Sequence, residues 1–214
     1  MPVFDLTHRF DSSTPFYPGD PKPLLRKTAT LEENGFVDFE MRSGMHIGTH
    51  MDGPLHMIRG GKSLAQIPVE RFRGPGILLD ARGKEVVEIE LLEGMTIPAR
   101  AFLLILTGQS QKYRTAAYHE RRPVLSEAFA ECVASMGISA VGIDAPGPDR
   151  EPYPVHKILL SKEILIIENL ANLEALLGAE RFEVIALPLK LETDSAPARV
   201  IAITSTQPML SSDR

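Results

Sequence analysis

Ala101-Phe102-Leu103-Leu104-Ile105-Leu106-Thr107 is an unbroken run of large apolar side chains, bounded by Pro98 on one side and Gly108 on the other. A run this short between turn residues reads as a strand, and one with no polar alternation leaves no face for water. Ile77–Asp80, Ala140–Ile143, Ile164–Ile167, Val184–Leu187 and Val200–Thr204 have the same character. Amphipathic helical patterns at Leu125–Met136, Val155–Ser161 and Leu173–Leu177 lie between them. Buried strands alternating with helices predict an α/β fold whose sheet is covered on both faces. The first half is different, with strands expected at Val3–Phe10, Leu24–Leu31 and Phe36–Ser43 and a turn-rich stretch over Asp11–Lys22. The expectation is therefore a mixed β-sheet flanked by helices. No repeat, low-complexity segment or linker interrupts the chain, so residues 1–214 are read as one domain.

Composition narrows the function. At 43% hydrophobic and 24% charged residues, the chain has the make-up of an ordinary soluble globular protein. Its net charge of −5 disfavours nucleic acid and anionic membrane as partners, because both require a cationic face. Arg71, Arg73 and the Arg121-Arg122 pair are isolated and are expected to be solvated. No apolar run approaches the length of a bilayer span, and the first residues lack the basic-then-apolar layout of a secretion signal, so a cytoplasmic protein is expected. The one cysteine, Cys132, excludes an internal disulfide and any multi-cysteine metal site. It shares helical spacing with Ala128, Phe129, Val133 and Met136, the pattern of a buried, inert thiol. Gly61-Lys62-Ser63 imitates the end of a phosphate-binding loop, but His56 stands where that motif needs glycine. No Gly-x-Ser-x-Gly elbow is present.

The chemistry concentrates in His46-Ile47-Gly48-Thr49-His50-Met51-Asp52-Gly53-Pro54-Leu55-His56, which holds half of the chain's 6 histidines. Imidazole and carboxylate together suit zinc, manganese or iron(II). Gly48, Gly53 and Pro54 argue for an irregular loop here, or at best one helical turn between His46 and His50; in such a turn the two share a face, with Asp52 following at a bend. Two imidazoles and one carboxylate leave coordination positions open, as in a catalytic site. His56 is either a further ligand or an uncoordinated acid/base. His119, in a charged run, is expected to be solvated. His156 follows the loop Asp144-Ala145-Pro146-Gly147-Pro148-Asp149 that leaves a buried strand, where α/β sheets gather their chemistry. Glu168 ends the apolar run Ile164–Ile167, where a carboxylate needs a cation or hydrogen-bond partner. Either residue meets the metal, or His156 is a surface residue at a helix start and Glu168 pairs with an arginine.

His46-x-Gly48-Thr49-His50-x-Asp52-x-Pro54-x-His56 resembles the signature of the metal-dependent cyclase-type hydrolases, which include bacterial kynurenine formamidase and isatin hydrolase. The resemblance extends to Tyr17-Pro18-Gly19-Asp20, Gly142-Ile143-Asp144-x-Pro146, His156, Glu168-Asn169-Leu170 and Ala186-Leu187-Pro188-Leu189-Lys190. It implies an α/β domain of the swivelling β/β/α type, assembled as a homodimer or larger homo-oligomer. It also implies two divalent metal ions, zinc or alternatively manganese. His46, His50 and Asp52 would hold the first, Asp52 would bridge to a second held by His156 and Glu168, and His56 would be the acid/base. The implied substrate is a small molecule, an aryl formamide such as N-formylkynurenine cleaved to kynurenine and formate, or else isatin or a lactone. The formamidases tend to carry tryptophan where this chain has Tyr17, and the chain has no tryptophan at all. Tyrosine can still stack on an aromatic substrate. Two rival readings are an iron(II) oxygenase built on a jelly roll and a metal-binding protein without catalysis.

Overall fold

The strand expected at Ala101–Thr107 lies at the centre of a mixed eight-stranded sheet in the computed structural model, which describes residues 1–205. In chain order the strands are β1 (Val3–Asp5), β2 (Leu24–Ala29), β3 (Asp38–Arg42), β4 (His50–Asp52), β5 (Arg73–Asp80), β6 (Val86–Val87), β7 (Phe102–Leu106), β8 (Val124–Leu125), β9 (Ala140–Ile143), β10 (Leu165–Glu168), β11 (Phe182–Pro188) and β12 (Ser195–Thr204). The helices are α1 (Leu31–Asn34), α2 (Ala117–Glu120), α3 (Glu127–Ala134) and α4 (Pro154–Ser161). The large sheet runs β1-β12-β11-β5-β7-β9-β10-β4, with β5, β7, β9 and β10 mutually parallel. This parallel block does not fit the antiparallel jelly roll of the oxygenase reading.

The sheet closes on itself. Strand β4 pairs with β10 on one side and with the first residues of β12 on the other, Ser195 opposite Asp52 and Pro197 opposite His50. Strand β1 takes the next length of the same β12 edge. Closure explains the unbroken apolar runs. On β7, Phe102, Leu104 and Leu106 point inward and join Met51, Ile167, Val184 and Val200. Leu103 and Ile105 point outward and are covered by Phe129 and Val133 of α3 and Leu159 and Leu160 of α4. Each of these fully buried side chains contributes about 1.5–3 kcal/mol of hydrophobic stabilisation.

Both faces are covered as expected, but helices cover only the outer one; the inner face is covered by the rest of the closed sheet. Helix α3 falls within the segment read as helical and α4 begins one residue before its segment, at Pro154, whereas Leu173–Leu176 is a 3-10 turn. Cys132 is only half-buried, at the margin of the outer core. Strand β1 is shorter than the expected Val3–Phe10, and Thr7 then bridges to Leu170. Strands β2 and β3 form a separate hairpin, and every residue of β3 is exposed. Among the described residues no helix is long and apolar enough to cross a membrane.

Candidate metal centre

The two-residue period of a strand places the site. On β4, Met51 enters the inner core, so His50 and Asp52 both project from the outer face. Glu168 lies directly across from His50 on β10, while its neighbour Ile167 points inward. Helix α4 covers this same face and presents His156 to the group. No helical turn joins His46 to His50: the segment is a series of bends in which Gly48 adopts φ 72°, a left-handed conformation that favours glycine. The bend leaves the His46 and His50 rings edge to face, their centroids 5.3 Å apart. His56 ends the 3-10 turn Pro54–His56, and its ring centroid is 4.2 Å from that of His46.

All six residues singled out in the sequence converge. His46 Nδ1 is 3.0 Å from Asp52 Oδ1, and His50 Nε2 is 3.5 Å from Asp52 Oδ1 and 3.4 Å from Glu168 Oε2. His156 Nε2 is 3.1 Å from Glu168 Oε1 and 4.0 Å from Asp52 Oδ2. His50 and Asp52 are fully buried, yet His50 Nε2 and both Asp52 oxygens have no hydrogen-bond partner among the described residues. Buried polar atoms are seldom left unpaired. Lone pairs from imidazole and carboxylate converging without hydrogen-bond geometry are the donor set of a divalent cation.

The surrounding contacts orient those lone pairs. His50 Nδ1–H donates to the Gly48 carbonyl at 2.8 Å, leaving Nε2 to face the carboxylates. Asn169 Nδ2 donates to that carbonyl at 3.0 Å and is itself fixed by Tyr118, whose hydroxyl donates to Asn169 Oδ1 at 2.6 Å. His156 Nδ1 donates to Asp149 Oδ1 at 2.5 Å, which frees its Nε2 in the same way. Such carboxylate–imidazole pairs set the tautomer and raise the basicity of a metal ligand. Asp149 also accepts from the backbone N–H groups of Val155 and His156, at 2.7 and 3.1 Å, and so caps α4. Asp194 Oδ2 lies 2.9 Å from His46 Nε2 and 3.0 Å from His56 Nδ1. Gly147, at φ 101°, packs closely beside Glu168: a Cβ there would stand 3.2 Å from Glu168 Oε1, a tight contact.

Without a cation, protons balance the buried negative charge. Burial alone would lower His46, but Asp52 and Asp194 outweigh it and hold this imidazole up at about 9. Burial is likewise outweighed at His156, where Asp149 and Glu168 raise it to about 10. Burial alone would raise Glu168, yet His156 and His50 hold it well below the usual carboxylate range, and Asp52 is lowered against burial by His50 and His46. A bound cation would displace these protons.

A cavity of about 280 Å³ opens beside the cluster, lined by His46, His56 and His156 together with Tyr17, His119 and Arg122. Tyr17 thus lines the cavity beside the cluster. His119 and Arg122 are not solvated: His119 packs against Tyr118 and Tyr17, and Arg122 is 7% exposed. Asp149, Asp194, His119 and Arg122 were not anticipated as site residues. Asp194 is 148 positions from His46, and no local spacing could have joined them.

The family model named Cyclase matches residues 4–150. The chain belongs to the cyclase family of metal-dependent hydrolases. A solved relative described as a potential metal-dependent hydrolase with cyclase activity is 32% identical, with TM-score 0.80 over 94% of this chain and 96% of that one. Kynurenine formamidase of Salinibacter ruber is 28% identical over 214 residues, covering 97% of this chain and 100% of that protein. An isatin hydrolase bound to the product analogue thioisatinate, 23% identical, shares the cyclase-family fold at TM-score 0.85 over 95% of this chain and 92% of that one.

Proposed function

We propose that this cyclase-family hydrolase cleaves a small aryl formamide or cyclic amide, in the manner of a kynurenine formamidase, with His46, His50, Asp52, His156 and Glu168 as metal ligands. The observation that carries the reading is the buried, unpartnered set of His50 Nε2 and both Asp52 oxygens, in contact with His46, His156 and Glu168, which line a pocket that also holds His56. A divalent cation held there would lower the pKa of a bound water from about 15.7 to roughly 7 and polarise the scissile carbonyl.

The protein supplies the rest. His56 Nδ1–H donates to Asp194, so Nε2 is the nitrogen left to exchange protons in the pocket. An amide nitrogen leaves readily only once protonated, and His56 is the group placed to deliver that proton; such help is worth about 10²–10⁴-fold. Asp194 positions His46 and His56 together through one oxygen. Tyr17 and His119 line the side of the pocket that would take the aryl ring. His50 and Asp52, enclosed by β10, β12 and α4, are shut off from bulk water, so their electrostatic influence on a developing oxyanion is weakly screened.

The test is to load the purified protein with zinc or manganese, determine its metal content by elemental analysis, and assay N-formylkynurenine, isatin and several lactones on that sample. Formate release or ring opening is expected with at least one of them. A metal-loaded protein that turns over none of them refutes the reading.

A further inference from the structure

Arg122 is buried in the pocket wall, with no negative partner among the described residues. One contact is visible: Nη2 donates to the backbone carbonyl of Asp149 at 2.7 Å. Its Nε is buried and unpartnered, and among the described residues no carboxylate lies within ion-pair distance of its guanidinium. The nearby acids are committed elsewhere: Asp149 accepts from His156 and the start of α4, and Glu168 faces His50 and His156. Asp20, the remaining acid at the pocket, is exposed on its rim. The guanidinium carbon lies 5.7 Å from the Tyr17 ring centroid, so the side chain is in the substrate pocket with one face on an aromatic ring. His119 lines the same pocket, and among the described residues both its ring nitrogens are buried without partners.

An unpaired buried guanidinium is strongly unfavourable unless an anion completes it. Its planar fork matches a carboxylate with two parallel hydrogen bonds. We infer that Arg122 is an anion anchor and that the substrate is a small aryl amide or lactam bearing a carboxylate, which Arg122 takes while the scissile carbonyl faces the cluster around Asp52. The substrate class rests on the hydrolase reading; the anion site does not.

Calorimetric titration of the metal-free protein with benzoate and with benzamide separates the two. Wild type should prefer benzoate, and Arg122→Gln should weaken benzoate at least tenfold while leaving benzamide unchanged. Arg122→Lys keeps the charge but loses the fork, so its benzoate affinity should lie between the two. It carries the test if Arg122→Gln fails to fold, in which case affinity equal to wild type overturns the proposal. With metal bound, kcat/KM for 2-formamidobenzoate should fall at least tenfold in Arg122→Gln, and that for formanilide should not. Benzoate binding indifferent to residue 122, or no preference for benzoate over benzamide in wild type, overturns the anion site. Arg122-dependent benzoate binding by a protein that hydrolyses neither formamide keeps the anion site and removes the hydrolase reading.

Discussion

Replacing Asp149 by asparagine tests whether the contacts behind His156 set its affinity for metal. The carboxylate does two jobs: it accepts two backbone N–H groups at the start of α4, and it accepts the His156 Nδ1 proton. Asparagine can keep the helix contacts with its oxygen, but its Nδ2–H₂ then faces His156 Nδ1. That pairing favours the opposite tautomer and puts a proton on Nε2, the nitrogen aimed at Glu168 and Asp52. Removing an outer partner of a metal-bound histidine typically costs 10–100-fold in affinity, about 1.4–2.8 kcal/mol. Exchanging a charged acceptor for a neutral one at the cap and at the imidazole removes about 1–2 kcal/mol of folding stability. At about 2–4 °C per kcal/mol for a chain of this size, the melting temperature should drop by roughly 2–8 °C. Zinc affinity is read by competition with a chromogenic chelator, and folding by circular dichroism. Asp149→Ala provides the contrast: it strips the cap and should lose more stability, but it imposes no wrong tautomer and should lose less metal affinity than asparagine. A folded Asp149→Asn protein that binds zinc within twofold of wild type would refute the assignment of Asp149 as the orienting group.

His56→Ala should retain bound metal while kcat falls by about 10²–10⁴-fold, and undiminished turnover removes His56 from the proton transfer. Asp52→Ala should lose metal on purification, because the oxygens that reach both His50 and His156 are gone; elemental analysis at wild-type stoichiometry contradicts this. In the chelated protein, His46 and His156 hold protons up to about 9 and about 10, above their ordinary 6.5. Their stabilisation is complete below pH 6.5 and is lost as pH climbs through those values. His8 is lowered to about 4 by burial and by Arg114, so its contribution is lost as pH falls from 6.5 toward 4. The urea midpoint of the chelated protein should therefore fall on either side of about pH 6.5, and metal should abolish the alkaline decline. A chelated sample whose midpoint rises between pH 7 and 9.5 contradicts this.

Much of this was legible in the residues. The apolar runs marked the parallel strands because covered strands need no polar face, and Ala140–Ile143 is reproduced residue for residue. The histidine window announced the site because its residue types are hard to account for by packing. The local geometry around His50 was not legible: a three-residue strand flanked by Gly48 and Gly53 owes its conformation to β10 and β12, not to its own propensity. Closure of the sheet was hidden for the same reason, since it depends on register between distant segments. Arg122 looks like a surface charge beside Arg121; only its packing on Tyr17 and its contact with the Asp149 carbonyl, both distant in sequence, show it buried.

The β12 edge that completes the sheet has a temporal implication. Strand β4 finds one of its two neighbours only in Ser195–Pro197, and the carboxylate that steadies His46 and His56 arrives with Asp194. Until that segment docks, the histidine window lacks both a strand neighbour and this carboxylate, and loop closure over so long a separation is slow. The surroundings of these imidazoles are therefore completed by a segment far away in the chain, and a polypeptide truncated before Asp194 would present them without their enclosure.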